Sequence, residues 1–95
     1  MRLLSNETDL VGKWRLVNDA IEGDSTCRRI ERLIRDQLTK VGTDATGWDT
    51  LYRDPQDGRY WELTYPESES EGGGPPRLSN IEKEAAQRKY GGIVE

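Results

Sequence analysis

The feature that most constrains this chain is the run from Trp48 to Pro66, where two strand-like segments flank Asp54-Pro55-Gln56-Asp57-Gly58. Pro presets φ near the value an early turn position needs, and Gly supplies positive φ at the exit, so these residues read as a turn by mechanism. Trp48–Arg53 and Arg59–Tyr65 then read as the two strands of a hairpin. In the second, Trp61, Leu63 and Tyr65 point one way and Tyr60, Glu62 and Thr64 the other. One face is expected to pack on a helix while the other stays partly aromatic. Pro66 ends the strand.

The rest of the chain supplies the partners that such a hairpin needs. Leu10–Val17 reads as a strand, with Trp14 and Leu16 on one pleat face. Asn18 and Asp19 suggest a turn, and Ala20-Ile21-Glu22 a short returning strand. Asp24, Ser25 or Thr26 can cap a helix, because each side-chain oxygen can accept from a first-turn N–H. Cys27, Ile30, Ile34, Leu38 and Val41 recur at helical spacing, with Leu33 on the flank, and Gly42 falls where a left-handed terminator belongs. These residues predict a helix over 25–41. Ser79 with Glu82 fits a capping box and predicts a second helix running to Tyr90, stopped by Gly91-Gly92. The fold class is therefore α+β, a small antiparallel sheet packed against two helices, with both helices expected on one face. Residues 1–95 are read as a single domain, with 1–8 a flexible N-terminus.

Composition excludes several functions. There is no histidine among the 95 residues, which removes the commonest general base and metal ligand. Cys27 is the single cysteine, so no internal disulfide forms and no thiol metal framework exists. No apolar run approaches the roughly 20 residues that span a bilayer, and the N-terminus lacks the apolar core of a secretory signal. A cytoplasmic protein without cofactors is expected. The net charge is −4, and the acidity is concentrated: residues 44–71 carry eight acidic and two basic side chains. Such a field favours a basic partner and disfavours nucleic acid.

Candidate sites carry competing readings. Cys27 beside Arg28 and Arg29 sits where a thiolate is stabilised, yet it shares the apolar stripe and reads as core. Arg28, Arg32 and Arg35 could track phosphates, or form an ion-paired solvated face. Gly72-Gly73-Gly74 resembles a phosphate loop, but Pro75-Pro76 removes two N–H donors, so it reads as connector or close-contact loop. Asp49, Asp54 and Asp57 lack calcium-loop spacing and read as turn residues. Trp48, Tyr52, Tyr60, Trp61 and Tyr65 exceed what one side of a ribbon buries. Trp61 and Tyr65 are expected in the core, with Trp48, Tyr52 and Tyr60 as candidate anchors of a binding surface.

On these residues the chain resembles the immunity protein 27 family of bacterial polymorphic toxin systems. The resemblance rests on Leu10-Val11-Gly12-Lys13-Trp14, on Cys27-Arg28-Arg29-Ile30, on the run from Gly47 to Pro66, on Gly72–Pro76, and on Lys89-Tyr90. It implies a protein without catalytic residues that binds a toxin encoded beside it. The acidic repeat Glu67, Glu69 and Glu71 is denser than the family pattern and suits partner-specific contacts with a basic toxin such as a nuclease. Trp48, Tyr52, Tyr60, Glu67, Glu69, Glu71, Gly73 and Pro75 are thus the expected partner-binding residues. The alternative is a small nucleic-acid-associated regulator that uses the arginines of the first helix.

Overall fold

The computed structural model describes residues 3–67 and 74–94. Among them, five strands form one antiparallel sheet: β1 (Asp9–Val11), β4 (Thr39–Thr43), β5 (Thr50–Arg53), β6 (Tyr60–Thr64) and β7 (Arg77–Ile81), in the order β1-β7-β6-β5-β4. A separate two-stranded hairpin joins β2 (Trp14–Val17) to β3 (Ala20–Gly23). Helix α1 (Ser25–Arg32) follows the hairpin, and α2 (Lys83–Tyr90) follows β7. The chain is α+β, as its patterning implies.

The Asp54–Gly58 hairpin forms, with strands shorter than expected, Thr50–Arg53 and Tyr60–Thr64, and Trp48 outside them. Gly58 adopts φ 79° at the turn exit. Its amide donates to the Asp54 carbonyl at 2.8 Å, and the Asp54 amide donates to the Arg59 carbonyl at 2.8 Å. Tyr52 faces Trp61 and Thr50 faces Leu63 across the pair. The Asn18-Asp19 turn also forms, with φ of 50° and 64° at these residues, the twisted geometry that a tight hairpin prefers. Both side chains are short and polar, and tolerate the left-handed region better than most.

The single strand expected over Leu10–Val17 is broken in two at Gly12 and Lys13. The Gly12 amide donates to the Pro76 carbonyl at 2.9 Å. A Cβ on Gly12 would lie 2.6 Å from Cys27 Sγ and 2.7 Å from the Pro76 oxygen, so only glycine passes here. The chain thereby leaves the sheet and turns into the hairpin.

Both helices have other boundaries than expected. Asp24 caps α1 by accepting from the Cys27 amide at 3.0 Å. That bond holds the Asp24 carboxyl below its ordinary range. The helix does not reach residue 41, however. It widens into a π-helical turn over Leu33–Gln37, closed by the Leu38 amide on the Leu33 carbonyl at 2.7 Å, and Thr39 begins β4. Val41 matched the helical period by coincidence, and Gly42 sits at a register shift in β4, not at a helix end. The capping box at Ser79 is likewise overridden. Ser79 lies in β7 and pairs with Asp9 on one side and Glu62 on the other. A cap is worth about 1 kcal/mol. A central strand satisfies backbone groups along both of its edges, and so wins.

The helices cover opposite faces of the sheet, not one. Ile30 and Leu33 pack with Leu3, Leu10, Leu38, Tyr52, Trp61, Leu63 and Leu78. Ala86 and Tyr90 pack with Leu51 and Val94 on the other side, flanked by Val41, Tyr60 and Ile81. The alternation of Leu51 with Tyr52, and of Tyr60 with Trp61, assigns each residue to its layer. The segment before β1, read as a loose end, makes specific contacts from residue 3 onward. Leu3 is buried in the larger cluster. Glu7 receives both terminal nitrogens of Arg29. Arg59 donates to the backbone carbonyls of Leu4 and Glu7.

Candidate functional site

Strand register sorts the expected binding residues by position. Val11, Arg77, Thr64, Thr50 and Thr43 stand at one end of the sheet: Val11 and Thr64 both pair with Arg77, Thr50 pairs with Leu63 beside Thr64, and Thr43 pairs with Thr50. Trp48, in the turn before β5, and Glu67, just beyond β6, flank this end. Pro75 enters it from the other side, just before β7. Tyr60 begins β6 and faces Ile81 at the opposite end, where it is half-buried against the smaller cluster. Tyr52 lies inside the core, and burial pushes its hydroxyl pKa up. The expected group therefore divides by position: Trp48, Glu67 and Pro75 share one end, Tyr52 is buried in the core and Tyr60 is half-buried at the opposite end. Glu69, Glu71 and Gly73 lie outside the described residues.

A groove of about 590 Å³ runs along this end. Val11, Trp14, Pro66, Pro75 and Pro76 give it apolar walls, and Asp9, Lys13, Glu67 and Arg77 edge it. Asp9 and Arg77 are joined by two hydrogen bonds of 2.8 and 2.9 Å. Pro66 and Pro75 bracket the segment that holds the glycine run. At Gly74 (φ 76°) a Cβ would meet the Glu67 carbonyl oxygen at 2.2 Å, so the chain leaves the groove at Glu67 and returns in contact with it. Gly74 and Glu67, on either side of the residues not described, lie in close contact.

Trp48 is held out to solvent by a well-bonded turn. Asp44 Oδ1 accepts from Thr46 Oγ1 at 2.7 Å and from the Gly47 amide at 3.0 Å, and Thr46 Oγ1 accepts from the Trp48 amide at 3.1 Å. The Thr46 bond foremost holds the Asp44 carboxyl below its ordinary value. The indole is 65% exposed. A large ring on a fixed backbone loses little freedom on binding, which suits an anchor. Behind it, Lys89 Nζ reaches Asp49 at 2.7 Å and Glu62 at 2.6 Å, and the Tyr90 hydroxyl donates to Glu62 at 2.8 Å. Burial works against the Lys89 ammonium, but these bonds outweigh it and raise its pKa. Burial, then the Glu62 bond, pushes the Tyr90 hydroxyl up. This network ties α2 to the turn that carries Trp48.

The remaining candidates are structural. Cys27 is buried, its thiol lies 3.6 Å from the Lys13 carbonyl, and burial pushes its pKa up, the reverse of activation. Asp54 is buried in the hairpin turn and accepts from the Gln56 amide at 2.9 Å. Asp57 pairs with Arg59 and Asp49 with Lys89, so these three acids serve separate tasks. On α1, Arg28 pairs with Glu22 and Arg29 with Glu7, while Arg35 in the π-helical turn pairs with Asp36.

Sequence reasoning missed the most exposed apolar surface. Leu16 is 70% and Ile21 58% exposed, directly opposite each other on the β2–β3 hairpin. Their apolar alternation was legible, but it implied a covering layer that the described residues do not supply.

An apolar groove and an exposed aromatic held on a fixed turn thus stand at one end of a small α+β fold. Its family follows from comparison with known proteins. The profile of immunity protein 27 matches residues 16–82, well over half the chain, and the chain belongs to that family. No curated protein and no solved structure matches it.

Proposed function

We propose that this chain neutralises a cognate bacterial polymorphic toxin in the cytosol by direct protein–protein contact, and that it does so by binding, not by catalysis. Membership of an immunity family implies a toxin as partner. The observation that supports the site is the placement at one sheet end of the apolar groove, edged by the carboxylate Glu67, and of the exposed Trp48 on the β4–β5 turn. Interfaces of this kind combine aromatic anchors with a polar rim. Glu69 and Glu71 follow Glu67 in sequence, so the segment joining the groove walls adds further negative charge. A basic toxin, such as a nuclease, complements that charge, and complementary fields speed capture.

The alternative, a nucleic-acid-associated regulator, has less support, because two arginines of the Arg28, Arg32 and Arg35 stripe, Arg28 and Arg35, are already engaged with carboxylates. Coexpression tests the reading. The toxin domain from the adjacent reading frame should arrest growth alone and be tolerated when this chain is present. Growth arrest that persists despite soluble expression of the chain refutes it.

A further inference from the structure

The β2–β3 hairpin is the one element whose construction the groove does not explain. Its base is firmly clamped. The Asp24 amide donates to the Lys13 carbonyl at 2.9 Å, closing the hairpin where it meets α1. Cys27 fills the space beneath it, where a Cβ on Gly23 would lie 2.8 Å from Cys27 Cβ. One pleat face carries Arg15 and Glu22, paired with each other and, through Glu22, with Arg28. The other face carries Trp14, Leu16 and Ile21, and its outer part has no cover among the described residues. Trp14 belongs both to this face and to the groove wall, so the exposed stripe continues into the groove.

Two directly opposed aliphatic side chains left in water cost stability, and a hairpin clamped at its base holds them in place before any partner arrives. The charges nearby indicate what that partner is. Asp19 occupies the hairpin tip and Glu67 and Lys13 edge the groove, while Arg15 and Arg28 pair with Glu22 and Arg77 with Asp9; Glu69 and Glu71, outside the described residues, follow Glu67 in sequence. A second copy of a chain with net charge −4 would set these carboxylates against their own likeness. A cationic protein surface would meet them with opposite charge.

We propose that Leu16 and Ile21, with Trp14 behind them, are the apolar anchor by which the chain holds its toxin, seated in an apolar cleft that the toxin rims with Lys and Arg. This rests on the toxin-binding reading above and adds where affinity resides: the hairpin anchors, and the acidic groove edge steers. Anchors of this kind act mainly through dissociation, whereas rim charges act mainly through association.

The test uses the purified, catalytically inactivated toxin domain from the adjacent reading frame. Binding kinetics are measured with the wild-type chain, with a Leu16→Ser/Ile21→Ser double variant, and with Glu67→Gln. The double variant should weaken affinity at least tenfold, chiefly by faster dissociation, at unchanged thermal midpoint. Glu67→Gln should chiefly slow association. Amide exchange of the wild-type chain, with and without toxin, gives an answer that does not depend on the variant folding: toxin should protect amides within residues 14–23. Wild-type binding with an unaffected double variant and no such protection overturns the anchor and leaves the toxin reading standing. A wild-type dimer that the double variant dissolves assigns the face to a second copy and also overturns it. No binding by the wild-type chain overturns the toxin reading itself.

Discussion

Glu7→Gln offers a test of how the N-terminal segment is held. The Arg29 guanidinium foremost brings the Glu7 carboxyl down from 4.5 to about 2, against an opposing effect of burial. The Leu4 amide adds a bond of 2.8 Å to the same carboxylate. At about 1.36 kcal/mol per pKa unit, such a depression corresponds to roughly 3 kcal/mol. The Arg29 and Glu7 side chains keep 26% and 19% of their area in solvent. Screening therefore brings the expectation to roughly 2 kcal/mol, and the amide of Gln retains part of the hydrogen bonding. Glu7→Gln should thus cost about 1 to 2 kcal/mol at pH 7, or roughly 4–8 °C in thermal midpoint per kcal/mol. The sign of the pH dependence follows from the depressed carboxyl. The stabilisation is full above the unfolded-state value and is lost as pH falls from about 5 through the folded value near 2. Urea titrations of both proteins at pH 7 and pH 3 give the difference directly. Equal stability at pH 7 would mean that the segment is loose in solution and that the Glu7–Arg29 contact contributes nothing. A cost that is the same at both pH values would assign the effect to shape and not charge.

Two further perturbations probe the frame and the rim. Gly12→Ala puts a methyl group 2.6 Å from Cys27 Sγ and 2.7 Å from the Pro76 carbonyl, so it should destabilise by at least about 2 kcal/mol in urea titration; a change under about 0.5 kcal/mol would show that β1 and β2 can separate without the close approach. Changing Glu67, Glu69 and Glu71 together to Gln should slow toxin association and flatten its salt dependence while leaving the thermal midpoint nearly unchanged, as stopped-flow and thermal melts would show; loss of folding would contradict a rim role.

The sequence revealed those parts of the fold that local chemistry decides. The β5–β6 hairpin was readable because Pro55 and Gly58 constrain φ regardless of what packs around them. The start of α1 was readable because Asp24 needs only the next turn of backbone to cap it. The end of α1 was not, since Val41 fits both a helical stripe and a strand facing Leu51's layer, and only pairing with β5 chooses. Ser79 misled for the same reason: its partners, Asp9 and Glu62, are remote in sequence. The candidate site followed the same division. Glu67 and Pro75 border the groove because each lies just beyond one end of a strand, β6 and β7. Tyr52 and Trp48 could not be told apart by residue type. Register puts Tyr52 opposite Trp61 and inside, while the Asp44 turn lifts Trp48 out.

The pairing of β1 with β7 has a consequence for timing. Asp9 meets Ser79, so β7, an interior strand of the sheet, is made well after the edge strand that it pairs with. Closure of so long a loop precedes the contacts that reward it, which slows folding relative to helical proteins of similar size. A nascent chain halted before Arg77 has no β7, no seat for β1 and no completed groove wall. If the chain acts as proposed, binding at the groove would therefore wait until β7 has joined the sheet, and a toxin translated at the same moment would hold a head start.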